Sequence, residues 1–298
     1  MGSGLFYPFF DDSFPFMKTT QRISLHGGHS GQYCNHAKDL LEDIILRYIE
    51  LGFTKVGITE HVPPINDHFL YPDEKVLNLT VDDLQKRFKD YFKNLKNLKK
   101  KYSSKIQIFV GMETESNADY IHQIKNLISR FQPDYIVGSM HHIDGDCFDY
   151  SKTDYDKIAS TCGSYEAMYE RYFDLQYEMI KTVKPFVVGH FDLIRIYDEN
   201  YKKRLLLPQI AQKIERNLNL INSLNLVMDF NLRPCAKGGK EPYITGSILR
   251  RAKEMGIRVV PGDDSHGVHE VGGHIDKAIE ILRALGFDTQ WPDPRLLT

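Results

Sequence analysis

The sequence predicts an α/β protein of seven βα units, and two observations carry that reading. Short runs rich in β-branched and aromatic residues alternate with longer stretches of helical periodicity almost to the end of the chain, an order that favours a parallel sheet. Each apolar run also ends in an ionisable or amide side chain: His26/His29, His61, Glu113, His141, His190, Asn231 and Asp264/His266. Parallel strands deliver their C-terminal ends to one rim, so groups far apart in sequence converge there. Seven units are one short of the usual eight-unit barrel, and a distorted barrel or an open doubly wound sheet suits the pattern.

The first strand, about 21–25, runs into LHGGHSGQYCNHA, which places His26, His29 and His36 within eleven residues. Glycines at 27, 28 and 31 let the backbone turn sharply enough for these imidazoles to face one point. In the helix expected over 37–51, Leu40, Leu41, Ile44, Ile45, Tyr48 and Ile49 recur at helical spacing, and Gly52 follows where a left-handed C-cap is wanted. The second strand, 55–59, ends at the ionisable pair Glu60-His61 and stops at VPP. The helix over 82–101 carries Lys86, Lys89, Lys93, Lys96, Lys99, Lys100 and Lys101, which read as a solvated face.

The third strand, 106–111, leads into GMETE. Glu113 and Glu115 are two apart on an extended segment and point the same way, so either can bridge two metals. Glu115 better suits a carboxylate at the N-terminus of the helix over 116–131. The fourth strand, 134–139, ends in GSMHH, where adjacent His141 and His142 cannot both face the site, so one is a ligand and the other stands behind it. After a helix over 165–183, the fifth strand, 186–190, ends at His190 with Asp192 beyond it. A helix over 206–223 and a strand over 225–230 lead to Asn231, and a helix over 244–255 precedes the last strand, 257–262. There GDDSH puts Asp264 and His266 on one side and Asp263 on the other, before a final helix over 272–286.

Composition narrows the function. Lys+Arg of 38 against Asp+Glu of 40 leaves no basic excess of the kind a phosphate backbone demands, so nucleic acid is not expected as a partner. The four cysteines, Cys34, Cys147, Cys162 and Cys235, are too irregular for a Cys-only zinc knuckle, and a chain of this size needs no disulfide framework; a reducing cytoplasm fits best. No run approaches a membrane span and no signal-peptide order is present, so a soluble protein is expected. No linker divides the chain: residues 21–298 read as one domain, and residues 1–20 as an N-terminal arm or tag remnant whose LFYPFFDDSFPF segment is too aromatic for a solvated tag. Oligomeric state carries no signal.

Taken singly, each histidine is more often a hydrogen-bonded surface or core residue than a ligand. Together the rim groups suffice for two or three ions, imidazole suiting Zn, Fe, Ni or Cu and carboxylate suiting harder ions such as Mn. Clustered metals hold the attacking and leaving oxygens of an in-line displacement and lower the pKa of water, as phosphoester hydrolysis requires. Arg195 and Arg233 are placed to clamp phosphate oxygens, with surface salt bridges as the plain alternative for each.

With these residues in order, the chain resembles the PHP (polymerase and histidinol phosphatase) family, in its histidinol-phosphate phosphatase branch. The resemblance runs from about His26 to His274 and rests on HGGH, NHA, ITEH, GMETE, GSMHH, GHFDL, FN and GDDSH. It implies a distorted TIM-like (β/α)7 barrel with a trinuclear centre at the C-terminal ends of the strands. Carried over, His26, His29, Glu113 and Asp264 would hold one ion, Glu113, His141 and His190 a second, and His36, His61 and His266 a third, with Mn, Fe or Zn as occupants. Two departures stand out: the family's first pair is usually H-x-H rather than His26-Gly-Gly-His29, and Ala236 precedes Lys237-Gly238 where related phosphatases carry arginine.

The expected activity is metal-dependent phosphomonoester hydrolysis with L-histidinol phosphate as leading substrate, Glu113 and Asp264 at the catalytic centre, and Arg195 with Arg233 or Lys237 neutralising the phosphate. The rivals are a PHP phosphatase acting on another small phosphoester or on phosphotyrosine, and a metal-binding module without catalysis. A proofreading exonuclease fits less well, since no polymerase module or basic face is present.

Overall fold

The computed structural model describes residues 21–239 and 241–297; the expected N-terminal arm, 1–20, lies outside the described residues. Seven parallel strands form where the apolar runs predict them: β1 (Ile23–Gly27), β2 (Lys55–Ile58), β3 (Gln107–Glu113), β4 (Tyr135–Gly138), β7 (Val187–Val188), β8 (Val227–Asn231) and β9 (Arg258–Gly262), with a short antiparallel hairpin, β5 (His142–Ile143) and β6 (Asp146–Cys147), inserted after β4. The sheet order is β1-β2-β3-β4-β7-β8-β9. A doubly wound sheet would reverse its order about a central strand. Here the order is sequential and its ends meet: the Asp264 amide donates to the His26 carbonyl at 2.8 Å, and the Ser24 hydroxyl donates to Asp263 at 2.7 Å. The result is a nearly closed seven-stranded barrel.

Helices lie between the strands. Seven match the periodic segments: α1 (Leu41–Glu50), α3 (Val81–Lys101), α4 (Tyr120–Phe131), α6 (Tyr165–Val183), α8 (Pro208–Ser223), α10 (Gly246–Glu254) and α11 (Ile275–Ala284). In α1 the predicted face buries Leu41, Ile44, Ile45 and Tyr48, and Gly52 takes a φ of 76° beyond its end. Leu40 departs from the prediction: it sits at the N-cap and is exposed. Further helices, α2 (Pro72–Val76), α5 (Lys152–Thr161), α7 (Tyr201–Arg204) and α9 (Arg233–Ala236), occupy loops in which the sequence shows no clear period. On α3 several of the lysines tie down neighbours rather than merely facing water: Lys99 pairs with Asp134 and Lys101 with Glu42.

Inside the barrel Tyr135 crosses to donate its hydroxyl to the Leu25 carbonyl at 2.8 Å. Gly57 and Gly111 leave the room it needs, since a Cβ at either would fall within van der Waals overlap of its ring or hydroxyl. The Tyr135 ring thus fills the barrel interior beneath the C-terminal rim. Among the described residues no helix is long and apolar enough to cross a membrane.

Candidate metal centre

β3 is the longest barrel strand and carries Glu113 to the middle of the rim, where β2 extends far enough for His61 to bridge to it. Three imidazoles converge on one Glu113 oxygen. His26 from β1, His141 beyond β4 and His190 beyond β7 place Nε2 at 3.2, 3.2 and 3.1 Å from Oε1. The second oxygen faces His29 Nε2 at 3.5 Å and His61 Nδ1 at 3.3 Å. Asp264 closes the ring, 3.4 Å from His29 Nε2 and 3.9 Å from His26 Nε2.

These separations match coordination. Ligands about 2.0–2.2 Å from one ion stand about 3.0–3.6 Å apart in octahedral or tetrahedral geometry. His26 Nε2, both nitrogens of His29 and Glu113 Oε2 are buried without a hydrogen-bond partner, a costly state unless a cation takes their lone pairs. Sets of ligand atoms within 4.8 Å of one another include His26/His29/Asp264, His26/Glu113/His190 and Cys34/His36/His61/His266. The residues present therefore fit divalent ions, and every predicted ligand reaches this rim.

Carboxylates behind the ring fix its tautomers. Asp229 lies 2.8 Å from His26 Nδ1, Asp149 2.9 Å from His141 Nδ1, Glu60 3.5 Å from His29 Nδ1, and Glu115 2.5 Å from His61 Nδ1. A carboxylate only accepts, so on His26 and His141, whose Nδ1 atoms are hydrogen-bonded, the proton sits on Nδ1 and Nε2 is left to the ion, the usual support for metal-bound histidine. Glu115 corrects the sequence reading: α4 starts only at Tyr120, and the carboxylate backs His61 and accepts from Tyr71 instead of capping a helix. Sequence reasoning did not single out Asp229 or Asp149. A charged residue in the middle of the buried run VMDFN, two before Asn231 and hence on its face, is the signal that would have found Asp229.

The extra glycine of HGGH is absorbed locally. Gly28 takes a φ of 44°, which favours glycine, and the β1–β2 register shifts between Ser24 and Gly27. His26 and His29 consequently both face Glu113, their ring centroids 6.3 Å apart. Asn231 braces the site, its amide donating to Asp229 and Asp264 at 3.1 Å each. His142 stands behind, its Nδ1 on the Glu115 carbonyl, and Asp263 points away to Ser24 and Tyr48, both as predicted. His269 and Asp144 lie outside the site; His269 is exposed beside Glu270, and Asp144 pairs with Arg171.

A cavity of about 1430 Å³ opens over the rim, and Arg195, Arg233 and Lys237 all line it with His36, Tyr71 and Glu199. Arg195 is held rigidly: Nε donates to Asp192 at 3.2 Å, Nη2 to the Pro242 carbonyl at 2.7 Å, and the guanidinium lies over Tyr243. Arg233 donates to the Asp264 carbonyl at 2.5 Å. Lys237 has its ammonium pushed down by burial and by the nearby Arg233 charge.

Electrostatics of the metal-free ring give a testable sign. Burial disfavours the imidazolium of His29, yet Asp264 and Glu60 overcome it and raise the group to about 9. His26 and His141 also rise despite burial, through Glu113 and Asp264 for the first and Glu115 and Asp149 for the second. Groups raised above an unfolded value of about 6.5 stabilise the fold fully below that pH and lose the contribution as pH rises through the folded value. The melting temperature of chelator-treated protein is expected to fall between about pH 6.5 and 9, while metal-loaded protein, whose imidazoles carry ions in place of protons, shows a smaller fall. Parallel melts across that range check this; equal slopes for the two forms would contradict it.

Comparison with known proteins follows the same lines. Residues 25–233 match the family model of the PHP domain. A "Probable histidinol-phosphatase" of Schizosaccharomyces pombe is 35% identical over 268 residues, covering 89% of this chain and 87% of its own. The histidinol-phosphatase of Saccharomyces cerevisiae is 29% identical over 294 residues, covering 86% and 87%. Among solved structures, a candidate histidinol phosphatase from Listeria monocytogenes has a TM-score of 0.69 at 25% identity and covers 86% of this chain and 98% of its own. The Lactococcus lactis histidinol phosphate phosphatase, solved with zinc, L-histidinol and phosphate, has a TM-score of 0.65 at 17% identity, a likeness of fold, and covers 90% and 94%. With a family model matched over most of its barrel and a fungal relative above 30% identity along nearly its whole length, the chain belongs to the PHP domain family.

Proposed function

We propose that this protein is a metal-dependent phosphomonoesterase that hydrolyses L-histidinol phosphate to L-histidinol and phosphate. The observation that carries the reading is the convergence of three imidazole Nε2 atoms on one Glu113 oxygen, beneath a cavity walled by three cationic side chains. The fungal relatives, similar along most of their length, carry the name histidinol-phosphatase.

Two or three ions of Mn, Fe or Zn, held by His26, His29, Glu113 and Asp264, by Glu113, His141 and His190, and by His36, His61 and His266, supply Lewis-acid charge and an activated water when bound. The chain's own groups do the rest. Arg195, fixed by Asp192 and two carbonyls, presents a pre-ordered charge to the phosphate, and Arg233 and Lys237 line the same cavity. Asp229 and Asp149 keep protons on Nδ1 of His26 and His141, and Glu60 and Glu115 place negative charge beside His29 and His61, so that the ring stays oriented. In the reaction water adds to phosphorus, the phosphorus–oxygen bond to histidinol breaks, and the leaving alkoxide takes a proton. The tyrosines Tyr71 and Tyr150 and the carboxylate of Glu199 also line the cavity and suit an imidazole and an ammonium. Four free cysteines fit a reducing cytoplasm.

The test is phosphate release by metal-reconstituted protein from L-histidinol phosphate beside a panel of phosphomonoesters that includes phosphotyrosine. Preference for histidinol phosphate supports the reading; activity confined to other esters leaves the site but removes the substrate, and no metal-dependent turnover removes the enzyme. Lys237→Ala is expected to raise KM by about tenfold with kcat within about threefold, because a cation in the cavity wall adds binding that the ground state already enjoys. Steady-state kinetics check it, and an unchanged KM would take Lys237 out of the phosphate site.

A further inference from the structure

We propose that Cys34 supplies a thiolate to the ion held by His36, His61 and His266, making that position a three-imidazole, one-thiolate site that selects zinc over manganese. The inference rests on the metal-dependent reading above and assigns a residue to it that the family resemblance does not.

Cys34 is 6% exposed, and its sulfur lies with ligand nitrogens of His36, His61 and His266 inside a group whose atoms are all within 4.8 Å of one another. The turn holds it there. The Cys34 amide donates to the Ser30 carbonyl at 2.9 Å, and the Ala37 amide donates to the Cys34 carbonyl at 3.3 Å.

The histidines are aimed by what occupies their other nitrogens. His61 Nδ1 lies 2.5 Å from Glu115, and both of its ring nitrogens are buried without a hydrogen-bond partner. His266 Nδ1 lies 2.9 Å from the Asp264 carbonyl, which only accepts, so in the tautomer that donates to it the free nitrogen is Nε2. His36 completes the set, stacked on His266 at 5.0 Å between ring centroids.

The donor chemistry separates this position from its neighbours. Each of the other candidate groups includes Glu113, Glu115 or Asp264, whereas this one contains no carboxylate. Three neutral imidazoles leave a divalent charge uncompensated beside the Arg233 guanidinium, and the thiolate is the one anionic donor in the group. Thiolate with imidazole favours zinc in tetrahedral geometry, while manganese prefers carboxylate, carbonyl and water. As the sulfur–metal bond forms, the thiol proton passes to solvent.

Cobalt reports sulfur coordination directly. Full-length protein stripped of metal and loaded with Co²⁺ is expected to show a sulfur-to-cobalt charge-transfer band in the near ultraviolet, lost in Cys34→Ser. In a competition with excess Mn²⁺, wild-type protein is expected to retain one zinc per chain that Cys34→Ser binds at least about tenfold more weakly, read by elemental analysis after dialysis. The wild-type spectrum needs no variant, and circular dichroism of Cys34→Ser shows whether the substitution has left the fold intact. Cobalt bound without the band, or a band that persists in a folded Cys34→Ser, overturns the proposal. Failure to take up cobalt at all overturns this proposal and the metal-dependent reading together, whereas the band without phosphatase activity overturns only the proposed reaction.

Discussion

Glu113→Ala is expected to lower phosphatase turnover by on the order of 10³-fold or more and to leave the protein with at least one ion fewer per chain. The two Glu113 oxygens face five of the rim imidazoles: His26, His141 and His190 on one side, His29 and His61 on the other. No other carboxylate is so central, and without it the ions that meet there lose their shared anionic donor. Loss of metal-derived stabilisation removes several kcal/mol from the transition state, at about 1.4 kcal/mol per tenfold in rate. Glu113→Gln separates charge from shape: it fills the same space, keeps an acceptor oxygen and lacks the negative charge that offsets the cations. Turnover on L-histidinol phosphate and metal content by elemental analysis, measured on both variants, test the assignment. A Glu113→Gln protein with wild-type metal content and kcat within tenfold of wild type would show that the charge at this position is dispensable.

What made the ring legible in the sequence was the strand period. A buried parallel strand reads as an apolar run, and the first polar residue after it must leave the core, so His61, Glu113, His190 and Asn231 were visible as endings. The groups behind the ring were not, because they break that rule in two ways. Asp229 lies inside β8, among residues that are otherwise apolar, and is tolerated there only because His26, the His190 amide and Asn231 satisfy its Oδ2. Asp149 sits past the β5–β6 hairpin, whose two-residue strands are too short to carry a pattern. Glu115 was assigned to a helix start that the chain delays until Tyr120, with Ser116 and Asp119 in left-handed conformations between them. Barrel closure was open for a different reason: it depends on β1 meeting the end of β9 through Ser24–Asp263 and His26–Asp264, contacts separated by more than two hundred residues. The phosphate-side arginines show the limit of spacing arguments, since Arg195 is positioned by Asp192 three residues before it and by the carbonyls of Glu241 and Pro242, more than forty residues on.

Gly262→Ala is expected to destabilise the protein by about 3 kcal/mol and to weaken metal binding by about 10–100-fold, although Gly262 offers no ligand. A Cβ at this last residue of β9 would stand 2.1 Å from Asp229 Oδ1 and 2.9 Å from the Cβ of His26. Neither neighbour can yield cheaply. Asp229 is fully buried, with Oδ2 fixed by three donors, and His26 is fully buried on β1. If Asp229 swings aside, His26 Nδ1 loses its acceptor, the tautomer that leaves Nε2 for the ion is no longer enforced, and the His190 amide and Asn231 are stranded with it. If the β9 backbone moves instead, Asp264 moves too, because its amide is tied to the His26 carbonyl across the barrel seam. Both routes disturb the same metal position, so stability and metal affinity should fall together, with a melting temperature lower by roughly 6–12 °C. The comparison that isolates the cause is Asp229→Asn, which removes the carboxylate charge without adding volume: it is expected to weaken metal binding by about 10–100-fold with a smaller loss of stability than Gly262→Ala. Thermal melts with and without chelator, beside metal titrations of the two variants, read both effects; a Gly262→Ala protein that melts within 2 °C of wild type would mean that β9 and Asp229 relax around the added methyl at no cost.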